Sequence, residues 1–510
     1  MSPPPTAAAP DLLVALDPAS LRPLYQQLYD GLRDEILTGR LSPGARLPSS
    51  RMLAAGLQVG RNTVMLAFEQ LRAEGYVQGR RGAGTYVTHT LPENVLYIRP
   101  QRMNTRERSA LMRPLSARGK TLVKTAARWG FPSNTAPSAF RFGVPALDAF
   151  PSAIWARLTA RRWRKLNFPM VESYPAGYPP LQKAIATYMN AVRGVRCHSE
   201  QVLIVNGSQQ ALDLAARVLL DPGDVVWVED PGYLGVRSAL AAAEAHLVPV
   251  SVDGEGLSVE TGIEQAYQAR MVYVSPSHQF PLGPTMSASR RLSLLSWAAQ
   301  VNAWVLEDDY DSEFRYAGRP LACLQGLDTE GRVLYLGTFS KTLFPALRLG
   351  YFIVPERLID AFMAARAVSD RHSPALEQAI LADFIAEGHY ARHVRRMRTL
   401  YAERQHCLLE AVHQELNGLL ELTPADAGMH LVGWLPRDIS DQDAASAAIA
   451  QGVETIPLSS YAMAPLSRGA LLLGYAGFAT AAIRMGVKRL AVALRQVQKQ
   501  NANAVRGQRC

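Results

Sequence analysis

Within residues 337–351, GTFSKTLFPALRLGY, one lysine, Lys341, stands among the small hydroxyl residues Thr338 and Ser340, and Arg348 follows seven positions on. Schiff-base chemistry with an aldehyde cofactor needs such a set. The amine must sit in a partly desolvated pocket so that it can be neutral and nucleophilic. Hydroxyls and a guanidinium beside it can bind a phosphate dianion, the guanidinium in bidentate fashion. A strand-edge lysine on a Ser/Thr-rich turn is the plain alternative.

A second stretch, EDDYDSEFRY at 307–316, complements the first. Asp308 ends an apolar run, where its carboxylate can pair with a pyridinium nitrogen and keep it protonated, the electron-sink arrangement of pyridoxal phosphate. Tyr310, two residues on, can hydrogen-bond a ring hydroxyl, whereas Asp311 and Glu313 read as an acidic surface loop. In VNGSQQALDLAARVLL, Ser208 and Gln209 open a helix after a strand, where free N–H groups and the helix dipole hold phosphate. Tyr233, in EDPGY at 229–233, can stack on a flat cofactor. Taken singly, the last two signals are weak.

These residues need a scaffold that gathers strand ends. From Phe142 onward near-continuous apolar runs alternate with helical stretches: VLIVNG, VVWVED, HLVPVSV, MVYVSP, WVLEDD, VLYLGT and LGYFIV. Such runs predict an α/β domain with a mostly parallel sheet covered on both faces. Function in these folds collects beyond the strand C-termini.

The other end of the chain has a different character. Residues 1–138 hold 18 Lys and Arg against 9 Asp and Glu, while the remainder holds 36 against 35, so nearly all of the net charge of +10 lies at one end. A polyanionic partner, double-stranded DNA first, follows. Leu24, Leu28, Leu32, Ile36 and Leu37 recur at helical spacing. A second helix is predicted near Ser49 and Ser50, with Met52, Leu53 and Leu57 inward, and a third over RNTVMLAFEQLRAEGY, with Val64, Phe68 and Leu71 inward. Tyr76-Val77, GRRGAG and Thr85-Tyr86-Val87 read as a hairpin. Three helices and a hairpin make a winged helix-turn-helix, in which the third helix presents Arg61, Asn62 and Thr63 to DNA. Ser50 and Arg51 support it, and Arg80, Arg81, Gly82 and Gly84 form the wing.

At 510 residues the chain exceeds the roughly 100–200 of one domain. The expected organisation is a disordered Pro/Ala-rich head (1–19), the DNA-binding domain (20–88), a basic linker (89–138), the cofactor domain (139–495) and a polar tail (496–510). No apolar run reaches the roughly 18 residues that span a bilayer, and the first residues lack the pattern of a signal peptide. Four scattered cysteines imply a reducing cytoplasm, with neither disulfides nor a metal site.

LPSSR, RNTV and RRGAGTYV resemble the GntR-type winged helix family over about residues 22–88. Asp308, Lys341 and Arg348 resemble the signature of fold-type I pyridoxal phosphate enzymes, the aspartate aminotransferase superfamily. FGVPALDAFP, YPAGYPPLQKAIATYM and SPSHQFPLG extend that likeness over nearly all of 139–495. The two together resemble the MocR subfamily of bacterial transcription regulators. The resemblance implies that Lys341 carries the Schiff base, Asp308 pairs with the pyridine nitrogen, Tyr310 with the ring oxygen, and Tyr233 stacks on the ring. It implies a phosphate held by Ser208, Gln209, Ser340 and Arg348, with Thr338 a further candidate, in a head-to-tail homodimer.

Four positions depart from the family patterns. Gln58 and Gly60 replace the usual glycine and cap of the helix-turn-helix, which predicts a slightly weakened turn. Phe280 stands where aminotransferases carry an asparagine bonded to the ring oxygen, and Gln182 where they carry arginine. No late arginine that would clamp a substrate carboxylate is evident, Arg468 being the nearest. The expectation is a cytoplasmic regulator that senses pyridoxal phosphate and controls vitamin B6 synthesis or salvage genes. The alternatives are an aminotransferase with a DNA-binding head, a regulator with an amino acid co-effector, or a DNA binder with a relic enzyme domain.

Overall fold

The computed structural model describes residues 14–80, 83–91, 114–126, 139–165, 175–318 and 322–507. They fall into two compact units, Met1–Pro114 and Leu115–Cys510.

In the first unit α1 (Leu24–Leu37), α2 (Ser50–Gly56) and α3 (Arg61–Ala73) precede a two-stranded antiparallel hairpin, β1 (Val77–Arg80) and β2 (Gly84–Val87). Leu28, Leu32 and Ile36 from α1 meet Val64, Phe68 and Leu71 from α3 in one buried cluster. Each such side chain contributes about 1.5–3 kcal/mol on leaving water. The Ser49 hydroxyl accepts the Met52 N–H at 3.3 Å and starts α2. Leu53 points inward as expected, but Met52 is 60% exposed. A seven-residue helix shows too little of its period to phase its faces from sequence. At the turn into α3 Gln58 adopts φ +53°, the left-handed conformation that glycine takes without cost. Gly60 caps α3 without a side-chain bond.

In the second unit, eight strands form one sheet in the order β3-β10-β9-β8-β7-β4-β5-β6. They are β3 (Val202–Val205), β4 (Val225–Asp230), β5 (His246–Asp253), β6 (Gly256–Leu257), β7 (Met271–Val274), β8 (Trp304–Asp309), β9 (Val333–Thr338) and β10 (Gly350–Ile353). β5, β4, β7, β8 and β9 run parallel, and β10 is antiparallel to both β9 and β3. β3, β7, β9 and β10 are buried at every residue, which explains their apolar runs, and β8 is buried throughout although Glu307, Asp308 and Asp309 form its second half. Helices Pro179–Arg193 and Ala375–Ala386 share one core with the sheet, and Ser208–Leu219 and Leu234–Ala242 share another.

A smaller antiparallel sheet follows, ordered β11 (Glu421–Leu422), β12 (His430–Trp434), β14 (Ala470–Gly474), β13 (Ile456–Pro457). The long helices His389–Glu415 and Thr480–Gly507 cover it. The second of these runs through the segment expected to be a polar tail. Part of the segment expected to be a linker is also ordered: Ala117–Ala126 forms a helix, with Arg118 3.5 Å from Glu244. Most of the expected head, and the rest of the linker apart from the few residues flanking this helix and the two domains, lie outside the described residues.

Candidate cofactor pocket and nucleic-acid interface

The C-terminal ends of β8 and β9 and the start of the helix Ser208–Leu219 surround a cavity of about 180 Å³. Lys341, Asp308, Tyr310, Tyr233, Ser208, Thr338, Ser340 and Arg348, scattered through 141 positions of sequence, all line it. Gln209 does not: its Nε2 donates to the Gly235 carbonyl at 3.0 Å, and its Oε1 is buried without a partner.

Lys341 follows β9 on a turn. Its Nζ lies 4.7 Å from the centre of the Phe142 ring. Burial pushes its pKa below the ordinary lysine value, against an upward pull from Asp311 and Asp308. The Phe142-Gly143 backbone comes so close that a Cβ on Gly143, at φ +75°, would sit 2.4 Å from Nζ. Asp308 is the penultimate residue of β8 and is 5% exposed. Its Oδ2 accepts the Tyr273 hydroxyl at 2.7 Å, while its Oδ1 is buried with no partner. Burial raises its pKa to about 7, although the Tyr273 bond favours the charged form. A buried carboxylate with one oxygen unsatisfied costs free energy that a pyridinium N–H at that oxygen would remove. The donor set therefore fits pyridoxal phosphate at its ring nitrogen.

The opposite end suits the phosphate. Gly207, at φ +84°, caps the helix Ser208–Leu219 and leaves its first N–H groups facing outward. Arg348, itself at φ +51°, donates from Nη2 to the Asn206 carbonyl at 2.8 Å. A Cβ on Gly207 would lie 3.0 Å from that guanidinium, so only glycine lets the two approach. Thr338 Oγ1 accepts the Ser340 N–H at 3.1 Å and fixes the turn that carries Lys341.

Tyr310 and His278 share a hydrogen bond between hydroxyl and Nδ1 at 2.9 Å, and the same nitrogen lies 3.0 Å from Asp311 Oδ2. The expectation that Asp311 and Glu313 form an acidic surface is therefore overturned. Asp311 is 1% exposed and faces His278, and Glu313 is buried and accepts the Tyr390 hydroxyl at 3.2 Å. Partners 33 and 77 positions away in sequence make both burials possible. Burial raises the Tyr233 hydroxyl to about 12, so it stays protonated.

One wall of the cavity is aromatic, formed by Phe142 and Phe280. Phe280 packs 5.0 Å from Phe142 and 5.0 Å from Tyr461, with Leu472 and Leu458 in the same apolar cluster. Among the described residues that line the cavity, Lys341 and Arg348 are the cations. Arg468 lies elsewhere, donating to the Leu435 carbonyl at 2.6 Å and pairing with Glu421 at 2.8 Å. Gln182 is buried with its amide on the Val202 carbonyl at 2.6 Å.

In the first unit Arg61 and Asn62 are exposed at the start of α3, and Thr63 is half-buried. Arg61 Nε donates to the Ser50 hydroxyl at 3.4 Å, which ties the start of α3 to the start of α2 beside the exposed Arg51. In the wing Arg80 lies over the Tyr86 ring at 4.9 Å, and Gly84 has φ +111°. Arg81 and Gly82 lie outside the described residues.

Residues 24–87 match the family described as bacterial regulatory proteins, gntR family, and residues 151–490 match aminotransferase class I and II. The chain is 42% identical to the probable rhizopine catabolism regulatory protein MocR of Rhizobium meliloti, over 96% of this chain and 97% of that one. It belongs to the MocR subfamily of GntR-type transcription regulators. Another MocR-type relative is the pyridoxine biosynthesis transcriptional regulator PdxR of Corynebacterium glutamicum, 31% identical over 83% of this chain and 85% of that one. Among solved structures, the alpha-aminoadipate aminotransferase LysN of Thermus thermophilus, complexed with N-(5'-phosphopyridoxyl)-L-leucine, is 29% identical. It covers 74% of this chain and 98% of its own, with a TM-score of 0.67. The cofactor of this MocR-type domain is pyridoxal phosphate. No helix among the described residues is long and apolar enough to cross a membrane.

Two residues of the MocR pocket escaped the reading of the sequence. Tyr273 lies in an apolar strand that looks like pure core, and its hydroxyl reaches Asp308 only because β7 and β8 are paired neighbours. Phe142 approaches Lys341 from about 200 positions upstream, and although it opens the FGVPALDAFP stretch, nothing local assigns it to the lysine.

Proposed function

We propose that this chain is a DNA-binding transcription regulator whose effector is pyridoxal phosphate itself, with vitamin B6 synthesis or salvage genes as its targets. One observation carries the reading: the ring-nitrogen and phosphate ends of the cavity are furnished, while an aromatic cluster closes one side and the described lining residues include no further cation for a carboxylate. The relative PdxR, a pyridoxine biosynthesis regulator, supports the choice of target.

Pyridoxal phosphate supplies an aldehyde that an amine can condense with and a ring that withdraws electrons once its nitrogen is protonated. In this reading Lys341 supplies the amine, kept available by burial that disfavours its charged form. Asp308 Oδ1 accepts from the ring nitrogen, Tyr310 bonds the ring oxygen, and Tyr233 covers the ring face. Ser208, Thr338, Ser340 and Arg348 hold the phosphate, and Gln209 acts behind them through Gly235. Phe142 and Phe280 exclude water from the Lys341 amine. Without a clamp on the α-carboxylate, an amino acid lacks the bidentate ion pair that would orient it for proton transfer.

The working unit is a head-to-tail homodimer that presents two copies of α3 to the major grooves of operator half-sites. Sensing requires the cofactor to favour one arrangement of that dimer over another. Arg61, Asn62 and Thr63 contact the operator directly, with Ser50, Arg51 and the wing residues Arg80 to Gly84 on the phosphates.

The likeness to solved aminotransferases favours a second reading, an aminotransferase with a DNA-binding head. Titration of the purified protein with pyridoxal phosphate, followed by a panel of amino acids, separates the two. The sensor reading expects a visible absorption band that borohydride fixes onto Lys341 and that amino acids leave unchanged. Bleaching by an amino acid sinks it in favour of the enzyme or co-effector reading.

A further inference from the structure

Behind the cofactor pocket lies a second cavity, of about 460 Å³, between the loop 281–285 and the segment 423–434 that leads into β12. Its volume is that of a small-metabolite site. Arg315 lines it and holds its backbone there through a β-bridge to Ala427. The side chain of Arg315 is partly buried. Its Nε and Nη1 are buried without a hydrogen-bond partner, and no carboxylate among the described residues pairs with it.

The surrounding charges make the lack of a counter-ion sharper. Arg315 shares a small void with Arg193 and Arg291. Arg193 is paired with Asp309 at 2.9 Å, and Arg291 donates to the carbonyls of Met286, Ala322 and Pro276. Of the other acids on the same segment, Asp311 faces His278 and Glu313 accepts the Tyr390 hydroxyl. Guanidinium nitrogens withdrawn from water without a partner are disfavoured, and an incoming carboxylate would satisfy both the charge and the fork of N–H donors.

Two more polar groups line the cavity. His430 donates from Nε2 to the Pro281 carbonyl at 2.9 Å, and burial keeps the ring neutral, so its buried Nδ1 is an acceptor open to an ammonium or hydroxyl of a ligand. Asp426 lines the rim, is exposed, and makes no side-chain hydrogen bond among the described residues. The cavity is also wired to the cofactor pocket: His278 lines it and bonds Tyr310 at 2.9 Å.

We propose that this cavity is a second ligand site, distinct from the cofactor pocket, that binds a small carboxylate through Arg315. Asp426 would hold the ammonium if the carboxylate belongs to an amino acid. The ligand bridges the loop 281–285 and the β12 segment, and through His278 it alters the hydrogen bond available to Tyr310. A carboxylate co-effector thus acts from beside the cofactor without reacting with it.

The test is isothermal titration of the full-length protein, free of pyridoxal phosphate, with succinate, glutamate and inorganic phosphate in turn. One site per chain is expected for succinate or glutamate. Arg315→Met should abolish it, and Arg315→Lys, which keeps the charge and loses the fork, should weaken it at least tenfold. Asp426→Asn should weaken glutamate several-fold and spare succinate if the ligand is an amino acid, and spare both if it is a simple carboxylate. Lys341→Ala should bind as the parent does, which separates this site from the cofactor pocket. The proposal is overturned if neither carboxylate binds at millimolar concentration, if only phosphate binds, or if the Arg315 variants bind like the parent. Should Arg315→Met fail to fold, the lysine variant alone decides.

Discussion

The start of α3 and the pocket around Lys341 recognise their ligands by opposite means. At the start of α3, Arg61 and Asn62 stand exposed, and Arg61 is steadied by one long bond to Ser50. In the pocket, Asp308 is buried, one of its oxygens is committed to Tyr273, and its pKa is displaced to about 7. DNA recognition spreads over many solvated charges, each of modest worth and screened by salt. Cofactor recognition concentrates on a few desolvated groups, and removing any one leaves its partners stranded.

That contrast sets the order of mutational effects. Lys341→Ala should abolish the visible absorption band and the borohydride-fixed adduct, yet leave operator binding without cofactor unchanged. A persisting response of operator binding to pyridoxal phosphate in this variant would show that sensing is noncovalent. Asp308→Asn should weaken cofactor binding by about 10–100-fold, the worth of a charge-assisted hydrogen bond, read by titration of the same band.

Asp308 also imposes a pH dependence. Its pKa of about 7 in the folded protein lies above the roughly 4 of an unfolded aspartate. The folded state thus keeps a proton that the unfolded state has lost, and stability falls as pH rises from about 4 to about 7. Glu229 and Glu313, each raised to about 7 by burial, act in the same direction. Thermal unfolding of the cofactor-free protein should show this fall, and Asp308→Asn should make it shallower.

Effects in the head are smaller. Arg61→Ala should weaken operator binding roughly tenfold and reduce its salt dependence by about one ion, with cofactor binding unchanged. Equal band shifts by variant and parent would remove Arg61 from the interface. Gln58→Gly should stabilise the head by about 1 kcal/mol, because glycine takes the left-handed conformation without the clash that Gln58 bears. A lower unfolding midpoint for this variant would mean that the Gln58 side chain has a role of its own.

The sequence made the frame of the pocket legible for a physical reason. Strands buried on both faces must be apolar throughout, so β7, β8 and β9 stand out, and polar residues at their ends draw attention to Asp308 and Lys341. The surroundings were not legible, because they depend on tertiary pairing. EDDYDSEFRY has the polarity of a solvated loop, yet His278 and Tyr390 take Asp311 and Glu313 into the core. The helix Ala117–Ala126 was hidden in a basic stretch with few apolar residues to reveal a period. In the head, the long helices α1 and α3 declared their inner faces, whereas the short α2 misplaced Met52.

The most direct test of the central claim is operator affinity measured across a titration of pyridoxal phosphate, with no amino acid present. The account predicts that affinity changes as the cofactor saturates and that Lys341→Ala abolishes the change. Affinity that stays constant through saturation, or shifts only when an amino acid is added, would contradict it.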